Sequence, residues 1–434
     1  MTTTLIKNGT LVNHGTRRDA DILITDGTIT NVGPSLTDPA DETIDASGLH
    51  ILYGALDDQV HFRDPGLEHK EDLETGSRGA AAGGVTSFFE MPNTVPNTIC
   101  ADSMAAKKAL AAEKCVANYN FFIGATGHNL DEINSVPNVP GIKIFMGSST
   151  GNLLVSEEEA LDEIFGNGDR IIAVHAEDEA TIQANYKAYA GSTDVQDHYR
   201  IRSVEAAMLA TQQAVRLSKK YNRRLHILHL TTKDEAEFLR ENKTEHITVE
   251  LCPQHFLLKA PEDYDRLGTY VQMNPPVRTA EHGPALWQAL KDGVIDIMAT
   301  DHAPHTIEEK EQPFGKAPSG MPGVETLLPL MFNRSNEGHC TLEEISHWCC
   351  ERPYEIFRVK NKGRIEPGYD ADLVLVDMNK EKTIENGKLF NKANWSPYNG
   401  WTLKGWPVRT LVHGTTVFLN GEITAKAGRE VEFE

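Results

Sequence analysis

The stretch that decides the fold runs from residue 50 to residue 63 and reads HILYGALDDQVHFR. An apolar run here leads directly into side chains that bind metals and anions, which is typical of a buried strand ending at a functional site. Similar apolar runs follow at 84–91, 118–124, 141–147, 170–175, 224–230, 246–252 and 294–300. Helical patterns lie between them, for example at 153–165, 203–221 and 280–293. Eight strands alternating with helices predict an α/β fold, a closed (β/α)8 barrel of the TIM type.

The two chain ends have a different texture, with short alternating strands and turn signals. Near the N-terminus, strand patterns at 5–9, 21–27 and 29–33 are accompanied by Asn8-Gly9 and Asp26-Gly27, dipeptides typical of β-hairpin turns. The same texture returns at 371–377, 410–414 and 417–421. We therefore predict a small β-sandwich domain formed by residues 1–52 and 371–434, with the barrel of residues 53–370 inserted between them.

The charge balance excludes some classes of partner. The chain has 42 Lys and Arg against 63 Asp and Glu, a formal charge of −21. Such a surface repels phosphate backbones and anionic membranes, so we expect neither nucleic acid nor membrane as a partner. A small anionic substrate is compatible with it, because a few cations in a cleft override the global field. Six cysteines without a CxxC pair, and no signal or membrane-spanning pattern, predict a cytoplasmic protein with reduced thiols.

Side chains that can ligate metal fall at or near the ends of five predicted strands. They are His61, Lys143, His175, His229 and Asp301. The C-terminal ends of barrel strands meet at one rim, where barrel enzymes have their active sites. A single histidine at a strand end is more often structural than a ligand, but the joint pattern of three histidines and an aspartate predicts a catalytic zinc site with open positions.

Lys143 is the unusual member of this set, because it lies within the apolar run Gly-Ile-Lys-Ile-Phe-Met. Two interpretations are open. The ammonium can snorkel to the strand end. Alternatively, a neutral lysine can capture carbon dioxide as a carbamate, an anionic group with two oxygens that bridges two metal ions. The spacing alone does not choose between them.

Eight motifs carry a family resemblance. They are GALDDQVHFRDPG (54–66), MPNT (91–94), KIF (143–145), VHAE (174–177), LHLT (228–231), MNPPVR (273–278), TDHAPH (300–305) and GRIEPGYDADL (363–373). Together they resemble the dihydroorotase family of cyclic amidohydrolases over nearly the whole chain. The resemblance implies a barrel with a β-sandwich, a zinc centre, and the reversible hydrolysis of dihydroorotate to N-carbamoyl-L-aspartate in pyrimidine biosynthesis.

The resemblance also implies roles for individual residues. The implied metal ligands are His61 for one zinc, His175 and His229 for the other, carbamylated Lys143 as the bridge, and Asp301, which is also the catalytic proton carrier. The implied substrate residues are Arg63, Asn93 and His305 around the substrate carboxylate, and Asn274 near the ring.

One position departs from the family pattern. The His-x-His of the first barrel strand is here Gln59-Val60-His61. Zinc binds an amide oxygen less readily than an imidazole nitrogen, so we expect Gln59 to be a weak ligand at most, and one or two zinc ions per chain.

Arg63 discriminates among the functions that remain. Its planar fork suits the carboxylate of dihydroorotate, which neutral rings such as hydantoins lack; an ion pair with Asp64 or Glu68 is the structural alternative. The rival functions are a hydantoinase or allantoinase type of cyclic amidase, and a non-catalytic dihydroorotase-like scaffold, which Gln59 suggests. We also expect a homo-oligomer, such as a dimer; nothing in the sequence indicates a transcarbamoylase partner.

Overall fold

The computed structural model describes residues 2–149 and 151–434. Within these ranges the strands are β1 (Thr3–Asn13), β2 (Thr16–Thr25), β3 (Thr28–Gly33), β4 (Glu42–Asp45), β5 (His50–Tyr53), β6 (Ala55–Val60), β7 (Val85–Glu90), β8 (Asn118–Phe121), β9 (Ile123–Gly124), β10 (Ile142–Phe145), β11 (Ile172–His175), β12 (Leu225–Ile227), β13 (Ile247–Leu251), β14 (Ile297–Met298), β15 (Leu373–Thr383), β16 (Thr402–Val412), β17 (Thr415–Leu419) and β18 (Glu422–Ile423).

The α-helices of the same ranges are α1 (Leu73–Ala82), α2 (Ala101–Lys114), α3 (Leu130–Ser135), α4 (Glu158–Gly166), α5 (Glu179–Ala188), α6 (Asp197–Ile201), α7 (Val204–Tyr221), α8 (Lys233–Asn242), α9 (Gln254–Leu257), α10 (Glu262–Leu267), α11 (His282–Lys291), α12 (Ile307–Lys310), α13 (Leu327–Asn336), α14 (Leu342–Ile345) and α15 (Arg352–Ile356). A 3₁₀-helix spans Gly268–Val271 and a π-helix spans Ser346–Glu351.

Parallel strands β6 to β14 form the barrel, in chain order around the ring. Strands β8 and β9 are one strand interrupted at Phe122, whose N–H donates to the carbonyl of Glu90 at 3.0 Å. The ring closes where Val60 pairs in parallel with His302 and the His61 N–H donates to the His302 carbonyl at 2.8 Å. Counting β8 and β9 as one, the described residues confirm the predicted barrel of eight strands.

The strands from the two chain ends pair with each other. In the described chain they form one nine-stranded sheet in the order β18-β17-β16-β15-β5-β1-β2-β3, with β4 paired to β1. Antiparallel pairing of β15 with β5, for example Val374 opposite Leu52, joins the C-terminal strands to the N-terminal ones. The predicted β unit of both chain ends is confirmed, whereas the exact domain boundaries at residues 52 and 371 stay a prediction.

The predicted strand 50–60 was wrong in its extent. His50–Tyr53 belongs to the terminal sheet, and the barrel begins only at Ala55. Gly54 lies between the two, and a Cβ atom there would overlap the Thr86 side chain. A residue without a side chain therefore allows the chain to pass from one sheet to the other.

The two predicted hairpin dipeptides behave differently. Asp26 and Gly27 connect β2 to β3 with φ angles of 48° and 85°, as a tight hairpin turn requires. Asn8 and Gly9 lie inside β1, where the pairing register with β2 shifts between Ile6 and Gly9. The Asn8-Gly9 dipeptide therefore marks a β-bulge, and the prediction of a turn there was wrong.

The helices confirm two of the three predicted patterns closely. Helix α7 begins after Ser203, whose hydroxyl accepts from the Ala206 N–H at 3.2 Å, and it ends at Asn222 with φ 51°. Helix α11 occupies the third predicted pattern, whereas the pattern at 153–165 becomes helical only from Glu158. None of the helices in the described ranges combines the length and apolar character needed to cross a bilayer.

Candidate active site

A pocket lies at the C-terminal ends of the barrel strands. Eight of the ten predicted site residues line its described wall: Gln59, His61, Arg63, Asn93, His175, His229, Asn274 and Asp301. The other described lining residues are Phe145, Ser149, Ala303, Ser319 and Gly320. The remaining two predicted residues, Lys143 and His305, are buried behind the wall. The fold therefore brings together residues as far apart in the sequence as Gln59 and Asp301, which are 242 positions apart.

His175 and His229 form one pair of ligand-type side chains. Nδ1 of His175 lies 3.0 Å from Nε2 of His229, and Nε2 of His175 lies 2.8 Å from a carboxylate oxygen of Glu177. Burial lowers the pKa of both histidines, that of His229 well below its usual value, so both are neutral near pH 7. A neutral imidazole whose second nitrogen is held by a carboxylate is the usual form of a metal-bound histidine.

Glu177 is a site residue whose role sequence reasoning missed. It is fully buried and also accepts from Nε of Arg202 at 2.9 Å. Burial alone would raise the pKa of Glu177, but the Arg202 guanidinium and His175 hold it well below its usual value. The available signal was its position two residues after His175, within the quoted VHAE motif. A charged Glu177 fixes the orientation of the His175 ring.

His61 and Asp301 form the second pair. Nε2 of His61 lies 3.2 Å from Oδ1 of Asp301, and Nδ1 of His61 lies 2.8 Å from Oδ1 of Asn93. Burial lowers the pKa of His61 well below its usual value, and burial raises the pKa of Asp301 to about 7. His61 is therefore a neutral ligand-type group, and Asp301 exchanges a proton in the neutral range.

Gln59 contacts the second pair through its amide nitrogen. Nε2 of Gln59 donates to Oδ1 of Asp301 at 3.2 Å, whereas its Oε1 has no hydrogen-bond partner among the described residues. The Gln59 amide nitrogen thus holds the Asp301 carboxylate in place. The Gln59 amide oxygen remains available for a weak metal contact.

Lys143 interacts electrostatically with members of both pairs. It is only 1% exposed, and its Nζ has no hydrogen-bond partner in the part of the chain that the structure describes. The snorkelling interpretation was wrong, because the amine does not reach solvent. Burial lowers the pKa of Lys143 to about 7, so a large fraction is neutral near pH 7. The neutral amine is the form that adds to carbon dioxide.

These residues fit a metal centre. Neutral imidazoles, a carboxylate and a lysine able to become a carbamate form a donor set that suits zinc. Unpartnered buried atoms, Nδ1 of His229, Oε1 of Gln59 and Nζ of Lys143, occur at this site. The predicted ligands form two pairs rather than a single cluster, since the clusters of three ligand atoms found among the described residues lie elsewhere.

Three residues of the site have an unusual backbone. The φ angles of Arg63, His229 and Asp301 are 66°, 39° and 47°, in the left-handed region that residues other than glycine rarely adopt. Such conformations cost on the order of 1–3 kcal/mol each and cluster at functional sites. The surrounding structure keeps these side chains in fixed positions despite that cost.

The guanidinium of Arg63 is buried at the pocket wall, with the residue 2% exposed. Its Nε donates to the Pro304 carbonyl at 3.2 Å, and no carboxylate of the described residues forms an ion pair with it. The alternative pairing was wrong: Asp64 pairs with Lys114 at 2.6 Å, and Glu68 accepts from the Gly66 N–H at 2.9 Å.

His305 lies behind Arg63, which differs from the predicted direct contact with substrate. Its Nε2 is 3.3 Å from Nη2 of Arg63 and 3.0 Å from the Ser319 carbonyl. The other ring nitrogen, Nδ1, is 3.1 Å from Nζ of Lys70. We therefore expect His305 to position the guanidinium rather than touch the ligand.

Comparison with known proteins identifies the family. A model of the amidohydrolase family matches residues 50–417, which include all ten predicted site residues. The chain belongs to the amidohydrolase family. This amidohydrolase is 35% identical to the dihydroorotase of Methanosarcina acetivorans over 443 aligned positions, covering 98% of the chain and 94% of that protein. It is 33% identical to the L-hydantoinase of Paenarthrobacter aurescens, covering 98% of the chain and 96% of that protein.

Solved structures resemble the whole amidohydrolase chain. The L-hydantoinase (dihydropyrimidinase) from Arthrobacter aurescens superimposes with a TM-score of 0.95 at 32% identity, and each chain is covered completely. The dihydropyrimidinase from Brevibacillus agri gives 0.93 at 27% identity, again with complete coverage of both chains. The barrel with its β-sandwich and the assignment to the cyclic amidohydrolase branch are confirmed. Because both dihydroorotases and a hydantoinase match the chain, the roles of the individual site residues stay predictions.

Gln59→His should tighten metal binding by this amidohydrolase. The variant would replace an amide, which now donates to Asp301, with an imidazole nitrogen that zinc binds more readily. We expect at least the 10–100-fold change in affinity, roughly, that changes in the partners of metal ligands produce. Metal retention in graded chelator measures the effect. At the pocket, the wild type should keep about one metal per chain, on the His175 and His229 pair, and the variant should keep two. Gln59→Asn, which keeps the amide, is the control; equal retention by wild type and Gln59→His would contradict the prediction.

Proposed function

We propose that this amidohydrolase is a dihydroorotase, which hydrolyses (S)-dihydroorotate reversibly to N-carbamoyl-L-aspartate in pyrimidine biosynthesis. The observation that carries the proposal is Arg63, a buried cation at the pocket wall without an ion-pair partner among the described residues. Carboxylates such as Asp301 and Glu90 interact with it, but none in the described chain lies within ion-pair distance. Burying a charge without a close partner is costly, so this cation favours a ligand that brings a negative group. Dihydroorotate carries a carboxylate on its ring, and hydantoin and dihydrouracil do not.

The remaining polar groups of the pocket suit the ring. Oδ1 of Asn274 is buried without a hydrogen-bond partner among the described residues and can accept from a ring N–H. Asn93 lies on the same wall as Arg63. Gly320 has φ 139°, and a Cβ atom there would overlap the Ala303 carbonyl, so the close packing of this part of the wall requires glycine. We assign Arg63 and Asn93 to the carboxylate and Asn274 to the ring.

Asp301 is the group we propose to move the proton. In hydrolysis, water adds its oxygen to the ring carbonyl carbon, the amide C–N bond breaks, and the departing nitrogen gains a proton. A carboxylate held at the pocket wall can take the proton from water and return it to the nitrogen. His61 and the Gln59 amide hold Asp301 on the pocket wall during both transfers.

We propose that His61, His175, His229, Asp301 and carbamylated Lys143 hold one or two zinc ions. Bound zinc supplies a more acidic water and stabilises negative charge on the carbonyl oxygen. A homo-oligomeric state, a cytoplasmic location and the absence of nucleic-acid and membrane partners stay predictions.

Arg63→Ala tests the choice of substrate. The variant should lose about 2–5 kcal/mol of transition-state binding, or roughly 30-fold to several-thousand-fold in kcat/KM for dihydroorotate, because a desolvated charge pair is broken. Its metal content should match that of the wild type. Arg63→Lys, which keeps the charge without the planar fork, should lose less. Near-normal kinetics of Arg63→Ala, or equal wild-type turnover of dihydroorotate and dihydrouracil, would remove the argument for this substrate.

A hydantoinase is the second candidate, and one observation favours it. A wide cleft adjoins the pocket and shares Ser149, Asn274 and Ser319 with it. Aromatic side chains, Tyr186, Tyr189 and Phe314, line this cleft and could receive a large ring substituent. A higher kcat/KM for 5-benzylhydantoin than for dihydroorotate would decide for this candidate. Metal analysis tests the scaffold alternative, since a scaffold needs no stoichiometric metal at the pocket.

A further inference from the structure

The barrel interior holds a second group of ligand-type side chains, deeper than the pocket. Asp58 lies on β6, three residues before His61. His226 lies on β12, three residues before His229, and Glu250 lies near the end of β13. One potential ligand atom from each of Asp58, His226 and Glu250 lies within 4.8 Å of the others, and all three residues have no solvent exposure. None of them takes part in the chemistry proposed above.

The atoms that face one another in this group are unsatisfied. Both oxygens of Asp58, Nε2 of His226 and Oε2 of Glu250 have no hydrogen-bond partner among the described residues. Nε2 of His226 lies 3.1 Å from Oδ2 of Asp58 and 3.8 Å from Oε2 of Glu250, within ion-pair distance but without well-formed hydrogen-bond geometry. Burial lowers the pKa of His226, but these two carboxylates raise it further, to about 9, so without a metal a protonated imidazole pairs with them. Buried polar atoms nearly always have hydrogen bonds, so four atoms in one place that lack a well-formed one indicate room for a further ligand.

Two of the side chains are anchored from behind. Nδ1 of His226 lies 2.7 Å from the Thr248 hydroxyl, and Oε1 of Glu250 accepts from the His229 N–H at 3.0 Å. Each anchored side chain therefore keeps one atom fixed and presents the other to the centre of the group. Metal ligands in proteins show this arrangement, because an outer hydrogen bond sets the orientation of the ligating atom.

Charge balance points the same way. Asp58 and Glu250 bring two carboxylates into a region with no solvent exposure. Both carboxylates interact electrostatically with His226 and with Lys143. On the proposed function, Lys143 becomes an anionic carbamate and its positive charge is lost. A proton on His226 then balances only one of the two carboxylates, whereas a divalent cation balances both.

We propose that Asp58, His226 and Glu250 bind a divalent transition metal, zinc or a close relative, at a buried site separate from the predicted catalytic centre. One imidazole and two carboxylates are a donor set that zinc and manganese accept. The ion joins β6, β12 and β13 just below the strand ends. It thereby fixes the strands that carry His61 and His229, so its role is structural.

Anomalous diffraction on wild-type crystals grown with zinc tests the site directly. Data collected above and below the zinc edge should show a peak between Asp58, His226 and Glu250, in addition to any peak at the pocket. Absence of that peak at saturating zinc would overturn the proposal. Because the readout is the position of the metal, the result does not depend on turnover, and a peak here in a protein inactive on dihydroorotate would refute only the proposed function.

Metal counting in variants gives a second measurement. Asp58→Asn should hold one zinc per chain fewer than the wild type. Asp57→Asn is the matched control, since Asp57 is an equally buried neighbour on β6 whose carboxylate already accepts from the Thr300 hydroxyl at 2.5 Å. This control should keep the wild-type zinc count. An unchanged count in Asp58→Asn would overturn the proposal; if that variant does not fold, the wild-type anomalous map decides.

Discussion

Lys143→Ala should abolish turnover of dihydroorotate and lower the bound zinc by at least one ion per chain. The amine is buried without a hydrogen-bond partner among the described residues and interacts electrostatically with both ligand pairs. The variant would remove the group proposed to supply the bridging oxygens. Changes in outer partners of metal ligands already cost about 10–100-fold in affinity or activity, and loss of a bridging ligand costs more. Metal analysis and a dihydroorotate assay on the same sample measure both losses.

Two controls separate the carbamate from a merely structural lysine. Lys143→Glu supplies carboxylate oxygens from a shorter side chain and should keep part of the metal. Short carboxylic acids such as acetate and propionate should partly restore both metal and activity to Lys143→Ala, because they can occupy the space left by the carbamate. Full metal content and turnover in Lys143→Ala would refute the bridge, as would an unmodified lysine beside bound metal in a high-resolution map.

Asp301→Asn should lower kcat for dihydroorotate by about 10²- to 10⁴-fold, the usual contribution of a general acid or base. The amide keeps the shape and the contact with His61 but cannot take or return a proton. KM should change much less than kcat, because Asp301 is assigned to the proton and Arg63 to substrate binding. Steady-state kinetics give both constants, and metal analysis of the same sample shows whether ligation has also weakened.

Asp57→Asn is the matched control for this variant, since Asp57 is a buried aspartate that does not line the pocket. Its kcat should stay within about tenfold of the wild type, a change of less than about 1.4 kcal/mol in the barrier. A fully metallated Asp301→Asn enzyme with kcat in that same range would show that another group moves the proton.

The barrel and the rim of the site could be predicted from the sequence because both follow from local patterns. Apolar runs of strand length alternating with helical patterns determine the (β/α)8 order, and the C-terminal ends of such strands must meet. That geometry alone placed His61, His175, His229 and Asp301 at one pocket. The boundaries were less predictable, since a tight packing contact at Gly54 and a bulge at Gly9 depend on partner strands.

The state of each site residue was decided by the tertiary structure alone. Whether Lys143 reaches solvent and whether Arg63 has a carboxylate partner depend on residues brought together from distant parts of the chain; His305, which supports Arg63, is 242 positions away. The grouping of Asp58 with His226 and Glu250 arises in the same way, from three strands that meet only in the closed barrel. Local patterns thus determine which side chains reach the barrel interior, whereas burial and pairing, which set their charge and chemistry, are properties of the assembled fold.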